Sequence, residues 1–154
     1  MESKTHQIFT RSNLISAMKT YSELIKLPTF NERFRYLKLE GQIGEQTFGF
    51  DRYLNQAFYR KPEWKRVRDY VITRDNACDL GIEGRDIPNG VRIYIHHLNP
   101  ITVKDITNKE DWILDPEFLI TTTKRTHDAI HYSDESILYE EPIKRSKNDT
   151  CPWR

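Results

Sequence analysis

Four of the five histidines in the chain lie between positions 96 and 131, in two pairs with different spacings. His96 and His97 are adjacent at the end of VRIYIH, whose alternating apolar residues predict a β-strand. His127 and His131 are four residues apart in KRTHDAIHY, which we predict to be a helix. A polar loop from Leu98 to about residue 116 and a second short strand, FLITTT, separate the two pairs. A hairpin packed on a helix would bring both pairs together, so this order of elements strongly constrains the fold.

The two spacings predict different chemical roles. Residues i and i+4 lie one above the other on a helix face, so the imidazoles of His127 and His131 can point at one metal ion. The H-x-x-x-H spacing is a recurring half of a metal site. Neighbouring residues of a strand point to opposite faces, so His96 and His97 are poorly placed to bind the same ion. We expect one of them to be a ligand and the other a general base, because a neutral imidazole can accept a proton near neutral pH.

The remainder of the chain is predicted to be mainly helical. Helices are expected in SNLISAMKTYSELIKL, after the Thr29–Glu32 capping box, in RYLNQAFY and in the segment that begins at Pro62. Pro88-Asn89-Gly90 predicts a turn before the first histidine strand. We therefore predict an α+β fold with a helical N-terminal extension (1–59), a core domain (60–133) and a charged C-terminal tail (134–154). The N-terminus has no apolar signal segment, and no stretch approaches the roughly 18 apolar residues of a membrane span, so we expect a cytoplasmic protein without a membrane partner.

Basic residues are concentrated locally rather than over the whole chain. Lys plus Arg (24) against Asp plus Glu (23) gives a net charge of +1, so any nucleic-acid surface must be local. One basic segment runs from residue 60 to residue 74, where a solvated helix face is the alternative to phosphate contact. A second lies just before His127. The candidate DNA contacts in these two segments are Lys65, Arg66, Arg68, Lys124 and Arg125.

With these features in place, the chain resembles a known family. The stretches IHHLNPIT and LDPEFLITTTKRTHDAIHY resemble the ββα-metal core of the His-Asn-His (HNH) endonucleases, in the variety with a paired histidine at the start and H-x-x-x-H at the end, as in the nuclease colicins. WKRVRDYVITRDNACDLG resembles the lead-in helix of HNH proteins encoded by bacteriophages, and TFNERFRYLKLEGQIGEQTFGFDRYLNQAFYR and NDTCPWR are similar to that group too. The resemblance covers most of the chain and implies a ββα-metal core with an N-terminal helical extension.

The resemblance also implies roles for the histidines. His97 matches the general base that activates a water to attack a DNA phosphodiester, while His96, His127 and His131 match the ligands of one divalent ion. Such an ion would stabilise the phosphate charge and the departing 3′-oxygen. Three imidazoles suit Zn²⁺, Ni²⁺, Co²⁺ or Mn²⁺ better than Mg²⁺, although nuclease members can use Mg²⁺ when phosphate oxygens and waters complete the shell. Asp128 could add an oxygen ligand or orient His127.

Two departures from the family pattern bear on how the site is held together. The asparagine that orders the catalytic loop normally lies nine residues before the first helical histidine, and this position is Phe118. Glu117, Asp115 or backbone hydrogen bonds are left to order the loop. The C-x-x-C pairs that staple many HNH proteins are also missing, and Cys78 lies alone near the place of the first.

Two alternatives follow from the same residues. Phe118 favours a weak or inactive HNH-fold DNA-binding protein that acts with a partner. A zinc-binding interaction module would use His97 as a fourth ligand, whereas an enzyme needs it unligated. The resemblance to phage proteins further implies the host-cell cytoplasm and a genome-packaging terminase as a partner, with homing as the alternative setting.

Overall fold

The structure of the protein is a computed structural model that describes residues 18–39, 52–81 and 85–138. Residues 12–17 of the first predicted helix and 139–154 of the predicted tail lie outside these residues. Within the described part of the first predicted helix, 18–27, only Tyr21–Leu24 is helical, so the helix is shorter there than predicted. The described helices are α1 (Tyr21–Leu24), α2 (Phe30–Leu37), α3 (Arg52–Arg60), α4 (Pro62–Arg74), α5 (Val103–Thr107) and α6 (Lys124–Tyr132). The described strands are β1 (Cys78–Asp79), β2 (Arg85–Asp86), β3 (Tyr94–His97) and β4 (Leu119–Thr122). The 3₁₀ turns are Asp111–Leu114, Pro116–Phe118 and Glu135–Leu138. The predicted mixture of helix and strand is confirmed at this level.

Local sequence signals account for the helix ends. The predicted capping box is present at α2, where Thr29 and Glu32 bind each other's backbone N–H groups. Pro62 occupies the first turn of α4, where its missing N–H costs nothing. Helix α6 begins after Thr123, whose hydroxyl accepts from the N–H of Thr126, and the helix ends at a left-handed residue.

Two antiparallel pairs of strands make up the described sheet structure. In the β3–β4 pair, His96 lies opposite Ile120 and His97 lies opposite Leu119. The shorter pair, β1–β2, was not predicted. The N–H of Leu80 donates to the carbonyl of Thr121 at 3.0 Å, which fixes the end of β1 against β4. The two short sheets are thereby joined beside the strand that leads into α6.

Buried side chains form two apolar clusters, and β4 contributes to both. Ile120 belongs to a cluster with residues of α2 and α6, whose buried members are Leu24, Leu37, Leu39, Leu98, Ile120 and Ile130. Leu119 belongs to a cluster with α3 and α4, whose buried members are Phe58, Trp64, Val71, Ile113 and Leu119. Because opposite residues of paired strands share a face, His96 points with Ile120 toward α6 and His97 points with Leu119 toward α4. Among the described helices, none is long and apolar enough to cross a membrane.

Candidate metal centre

Three imidazoles converge between β3 and α6. One ring nitrogen from each of His96, His127 and His131 lies within 4.8 Å of the others. The ring centroids are 5.5 Å apart for His96 and His127, 5.1 Å for His96 and His131, and 4.3 Å for His127 and His131. Nitrogens bound tetrahedrally at about 2.0–2.1 Å from an ion are roughly 3.3 Å apart, so small side-chain rotations would complete a three-nitrogen site.

The convergence follows from strand register and helix start. β4 pairs directly with β3, and α6 begins at Lys124, two residues after β4 ends at Thr122. The first two turns of α6 therefore run beside the end of β3. Asp79 fixes this arrangement, because its Oδ2 accepts from the N–H of Thr123 at 2.8 Å and from the hydroxyl of Thr126 at 2.6 Å.

His96 is the most deeply buried of the three rings. His96 is only 1% exposed, and neither ring nitrogen has a hydrogen-bond partner among the described residues. Buried polar groups almost always have hydrogen-bond partners, so apolar packing alone does not account for an imidazole at this position. Burial, with smaller contributions from His131 and His127, holds the pKa of His96 well below its usual value of 6.5. The ring is neutral and carries a lone pair, which is the form that binds metal.

The two helical histidines are half-buried and also kept neutral. Burial, reinforced by His127, lowers the pKa of His131 to about 4. Burial lowers the pKa of His127, and the neighbouring Asp128 opposes that shift. Asp128 makes a long contact of 3.4 Å from Oδ1 to Nδ1 of His127, while its other oxygen pairs with Lys124. The carboxylate is thus placed to orient the His127 ring, the second of the two roles expected for it.

His97 lies on the other face of β3 and is held by two contacts. Its ring stacks on Trp64 of α4, with centroids 5.3 Å apart and planes 17° apart. Its Nε2 lies 3.0 Å from the carbonyl oxygen of Ile113, which can only accept, so Nε2 carries the proton and Nδ1 the lone pair. Burial lowers the pKa of His97 to about 4, against the opposing effect of the Ile113 carbonyl, so the ring is neutral at pH 7. Among the described residues, His97 does not join the group of three whose nitrogens converge.

The loop before β4 is ordered by several groups. Oε1 of Glu117 accepts from the N–H of Ser22 at 2.9 Å, and Oδ1 of Asp115 accepts from the N–H of Glu117 at 2.9 Å. Both carboxylates therefore bind backbone in or beside the loop. Phe118 is buried against Trp112, and its carbonyl accepts from the N–H of Leu98 at 2.9 Å.

Sequence reasoning missed a further pair that binds this loop. Nη1 of Arg74 donates to the carbonyl of Pro116 and Nη2 donates to the carbonyl of Leu119, both at 2.7 Å. Asp75 accepts from Nε of Arg74 and from the N–H of Thr121, again both at 2.7 Å. In the sequence Arg74 is only one of six basic residues between 60 and 74, and no local spacing distinguishes it.

The candidate DNA contacts of α4 lie on its surface. Lys65 is exposed. Nη2 of Arg66 lies 4.0 Å from Oε1 of Glu63, and Nη1 of Arg68 lies 3.1 Å from Oδ1 of Asp69. These surface ion pairs are weak, so they leave the cations able to exchange partners.

The two candidates on α6 already contact the protein. Lys124 pairs with Asp128, and Nη2 of Arg125 donates to the carbonyls of Ile137 (3.2 Å) and Leu138 (3.3 Å). Arg92 is a third cation beside the histidines, and its place in an alternating strand pattern gave no reason to single it out. Arg92 lies over the Tyr94 ring at 5.2 Å, and that ring is 5.7 Å from His127.

Comparisons of the chain with protein families, with curated proteins and with solved structures found no match.

Proposed function

We propose that the protein is a divalent-metal-dependent HNH endonuclease that hydrolyses DNA phosphodiester bonds. The observation that carries the proposal is the buried ring of His96, which has no hydrogen-bond partner in the described part of the chain and faces His127 and His131. A neutral and separately oriented His97 lies next to it on β3. Structural zinc sites are closed by four protein ligands, whereas catalytic sites leave a position open. Three converging imidazoles, with His97 directed elsewhere, favour the catalytic kind.

The proposed roles divide between the two faces of β3. His96, His127 and His131 would hold one ion (Mg²⁺, Mn²⁺, Zn²⁺ or Ni²⁺), whose chemistry is to neutralise the phosphate and the departing 3′-oxygen. His97 would accept the proton of the attacking water at Nδ1. The resulting imidazolium would be stabilised by the Ile113 carbonyl that already accepts from Nε2. The stack on Trp64 limits rotation of the ring, which supports a fixed direction of proton transfer.

Cations on both sides of the histidines support DNA as the substrate. Lys65 and Arg68 flank Trp64 on α4, while Arg92 and Lys124 lie beside His127 on the other side. Phosphate contacts of this kind would position the duplex without selecting a base sequence. The sequence resemblance to phage proteins extends the proposal to the host-cell cytoplasm and to a terminase as a partner.

The test is conversion of supercoiled plasmid to nicked or linear forms. The reaction is run with Mg²⁺, Mn²⁺, Zn²⁺, Ni²⁺ or EDTA, with His97→Ala as the matched variant. We expect metal-dependent cutting that disappears in His97→Ala, while that variant retains metal and DNA binding. Loss of metal from His97→Ala would mean that the base and a ligand have been exchanged in our assignment.

Phe118 favours a second candidate function, a catalytically weak HNH-fold protein that binds DNA and acts with a partner. The side chain at this position is buried and has no polar group to bind the loop. Salt-sensitive DNA binding without cutting by any metal would support this candidate over the nuclease.

A further inference from the structure

Arg74 and Asp75 connect the end of α4 to residues 116–121, in the loop before β4 and in β4 itself, through three short hydrogen bonds, and a fourth joins the two side chains. All three guanidinium nitrogens of Arg74 are used at 2.7 Å: Nη1 on Pro116, Nη2 on Leu119 and Nε on Asp75. The second carboxylate oxygen of Asp75 accepts from the N–H of Thr121, also at 2.7 Å. The pair therefore binds the backbone at three places within six residues of chain.

The surroundings of the pair favour one fixed geometry. Asp75 is buried, and the Arg74 side chain is largely buried beside it. The Tyr21 ring covers the guanidinium, with its centroid 3.6 Å from Cζ. A planar guanidinium presents its donors in a fixed fork, which a lysine ammonium cannot reproduce. Charge-assisted hydrogen bonds of this kind are shorter and stronger than neutral ones.

The bound segment is continuous with the group that orients His97. Ile113, whose carbonyl accepts from Nε2 of His97, lies three residues before Pro116. The N–H of Asp115 donates to the carbonyl of Trp112 at 3.1 Å, so the two 3₁₀ turns are linked without a flexible spacer. Leu119 lies directly opposite His97 in the β3–β4 pair. A shift of the segment would therefore move the Ile113 carbonyl and the strand partner of His97 together.

We propose that Arg74 and Asp75 are positioning residues that hold the loop before β4 so that the Ile113 carbonyl stays against the ring of His97. They supply from α4 the loop contacts that the buried phenyl ring of Phe118 cannot make. The inference rests on the proposed nuclease function where catalysis is concerned, but the orientation of His97 can be measured without it.

The kinetic test compares Arg74→Lys with Arg33→Lys in the full chain. Arg33 is a matched control because its Nε also donates to a backbone carbonyl, that of Leu27 at 2.8 Å, away from the loop. For Arg74→Lys we expect kcat to fall by about 10–100-fold, because a displacement of about 1 Å in a reacting group can cost about 100-fold. The KM for plasmid DNA and the affinity for Co²⁺ should stay within about twofold, because no contact among the described residues joins Arg74 to the three histidines proposed as ligands. Equal kcat values for both lysine variants would overturn the positioning role.

The structural test does not depend on cleavage. Hydrogen exchange of backbone amides over 113–121 should accelerate in Arg74→Lys and not in Arg33→Lys. The imidazole NMR signal of the His97 Nε2–H should broaden or disappear in the same variant. Asp75→Asn, which cannot accept at both positions, is the second variant and should give the same changes if Arg74→Lys fails to fold.

The two tests separate the failure of each proposal. Plasmid left intact by the wild type with every metal would refute the nuclease, while accelerated exchange and a lost His97 signal would still support positioning by Arg74. A wild type that cuts, together with unchanged exchange and an unchanged His97 signal in both loop variants, would refute the positioning role alone.

Discussion

Replacing His96 by Leu tests whether this side chain is a metal ligand or only a packing residue of the core. In the metal-free protein the buried ring has two nitrogens without partners among the described residues. Such unsatisfied groups cost about 1–3 kcal/mol each, whereas truncating a large apolar core residue costs roughly 2–5 kcal/mol. We therefore expect the free energy of unfolding of metal-free His96→Leu to equal or exceed that of the wild type. Urea unfolding in EDTA measures this difference.

Adding metal should make the wild type more stable than His96→Leu. A ligand at about 100 times its Kd stabilises the folded state by about 2.7 kcal/mol. For a chain of this size each kcal/mol raises Tm by roughly 2–4 °C, so saturating Zn²⁺ or Ni²⁺ should raise the wild-type Tm by about 5–10 °C. His96→Leu should show almost none of this increase, because only two imidazoles remain. Thermal unfolding with and without metal measures both values.

His97→Gln is the control for this experiment. His97 lies on the opposite face of β3 and is bound by Ile113 and Trp64, so its variant should keep the metal-dependent rise in Tm. The reasoning would be refuted by a wild type whose Tm does not respond to metal, together with a large loss of stability in metal-free His96→Leu. His96 would then be a core residue that tolerates its unpartnered nitrogens.

Three further predictions use other parts of the structure. Folding lowers the pKa values of His97 and His131 from 6.5 to about 4. Between pH 6.5 and pH 4 the unfolded chain therefore binds more protons than the folded protein, so the free energy of unfolding decreases as the pH is lowered. From pH 7 to pH 5 the metal-free protein should lose about 2 kcal/mol for each ring by urea unfolding, and a flat profile would contradict the burial of these groups. A Cβ at Gly81 would lie 2.2 Å from Cγ2 of Thr126, so Gly81→Ala should cost about 1–3 kcal/mol. Adding Thr126→Ser, which removes that methyl group and keeps the hydroxyl on Asp79, should restore much of the loss. Arg125→Ala should weaken DNA binding for all sequences and reduce the salt slope by about 1, whereas an unchanged slope would mean that Arg125 binds the protein, including the carbonyl of Ile137, and not DNA.

The elements around the histidines could be predicted because their signals are local. Helix α6 occupies the segment KRTHDAIHY as predicted, and β4 lies within FLITTT. The threonine before α6 caps it, and the apolar residues of β4 are those expected of a buried strand. Strand β3 was predicted to begin at Val91 and begins at Tyr94, after the turn at Pro88-Asn89-Gly90.

Other elements are too short for periodicity to reveal. β1 and β2 contain two residues each, so no alternation can be seen, and only tertiary contact with β4 explains them. Helix α5 lies inside the segment predicted as a polar loop. Its Thr102–Asp105 capping box is present in the sequence, but the helix has five residues and none is buried, so it shows little apolar pattern.

The candidate site likewise has one part that local spacing predicts and another that depends on distant contacts. Spacing alone grouped His127 with His131 and separated the roles of His96 and His97, because helix and strand geometry are periodic. The two contacts that fix His97 come from Trp64 and Ile113, and Arg74 binds Pro116 in the segment that follows Ile113. Each is distant in sequence, so no local spacing could have indicated it.

The surroundings of Phe118 determine how this loop is held, and the motif alone does not include them. An apolar residue at this position suggests a poorly held loop if only the stretch from 96 to 131 is considered. In the fold, its side chain is buried against Trp112 and its carbonyl binds the N–H of Leu98. Arg74 binds the carbonyls on either side of it, at Pro116 and Leu119. An asparagine here would have to bury an amide in an apolar contact, which costs free energy unless every polar atom finds a partner. Phe118→Asn should therefore lower stability without raising cleavage, and a faster enzyme would show that the Arg74 contacts leave the loop incompletely ordered.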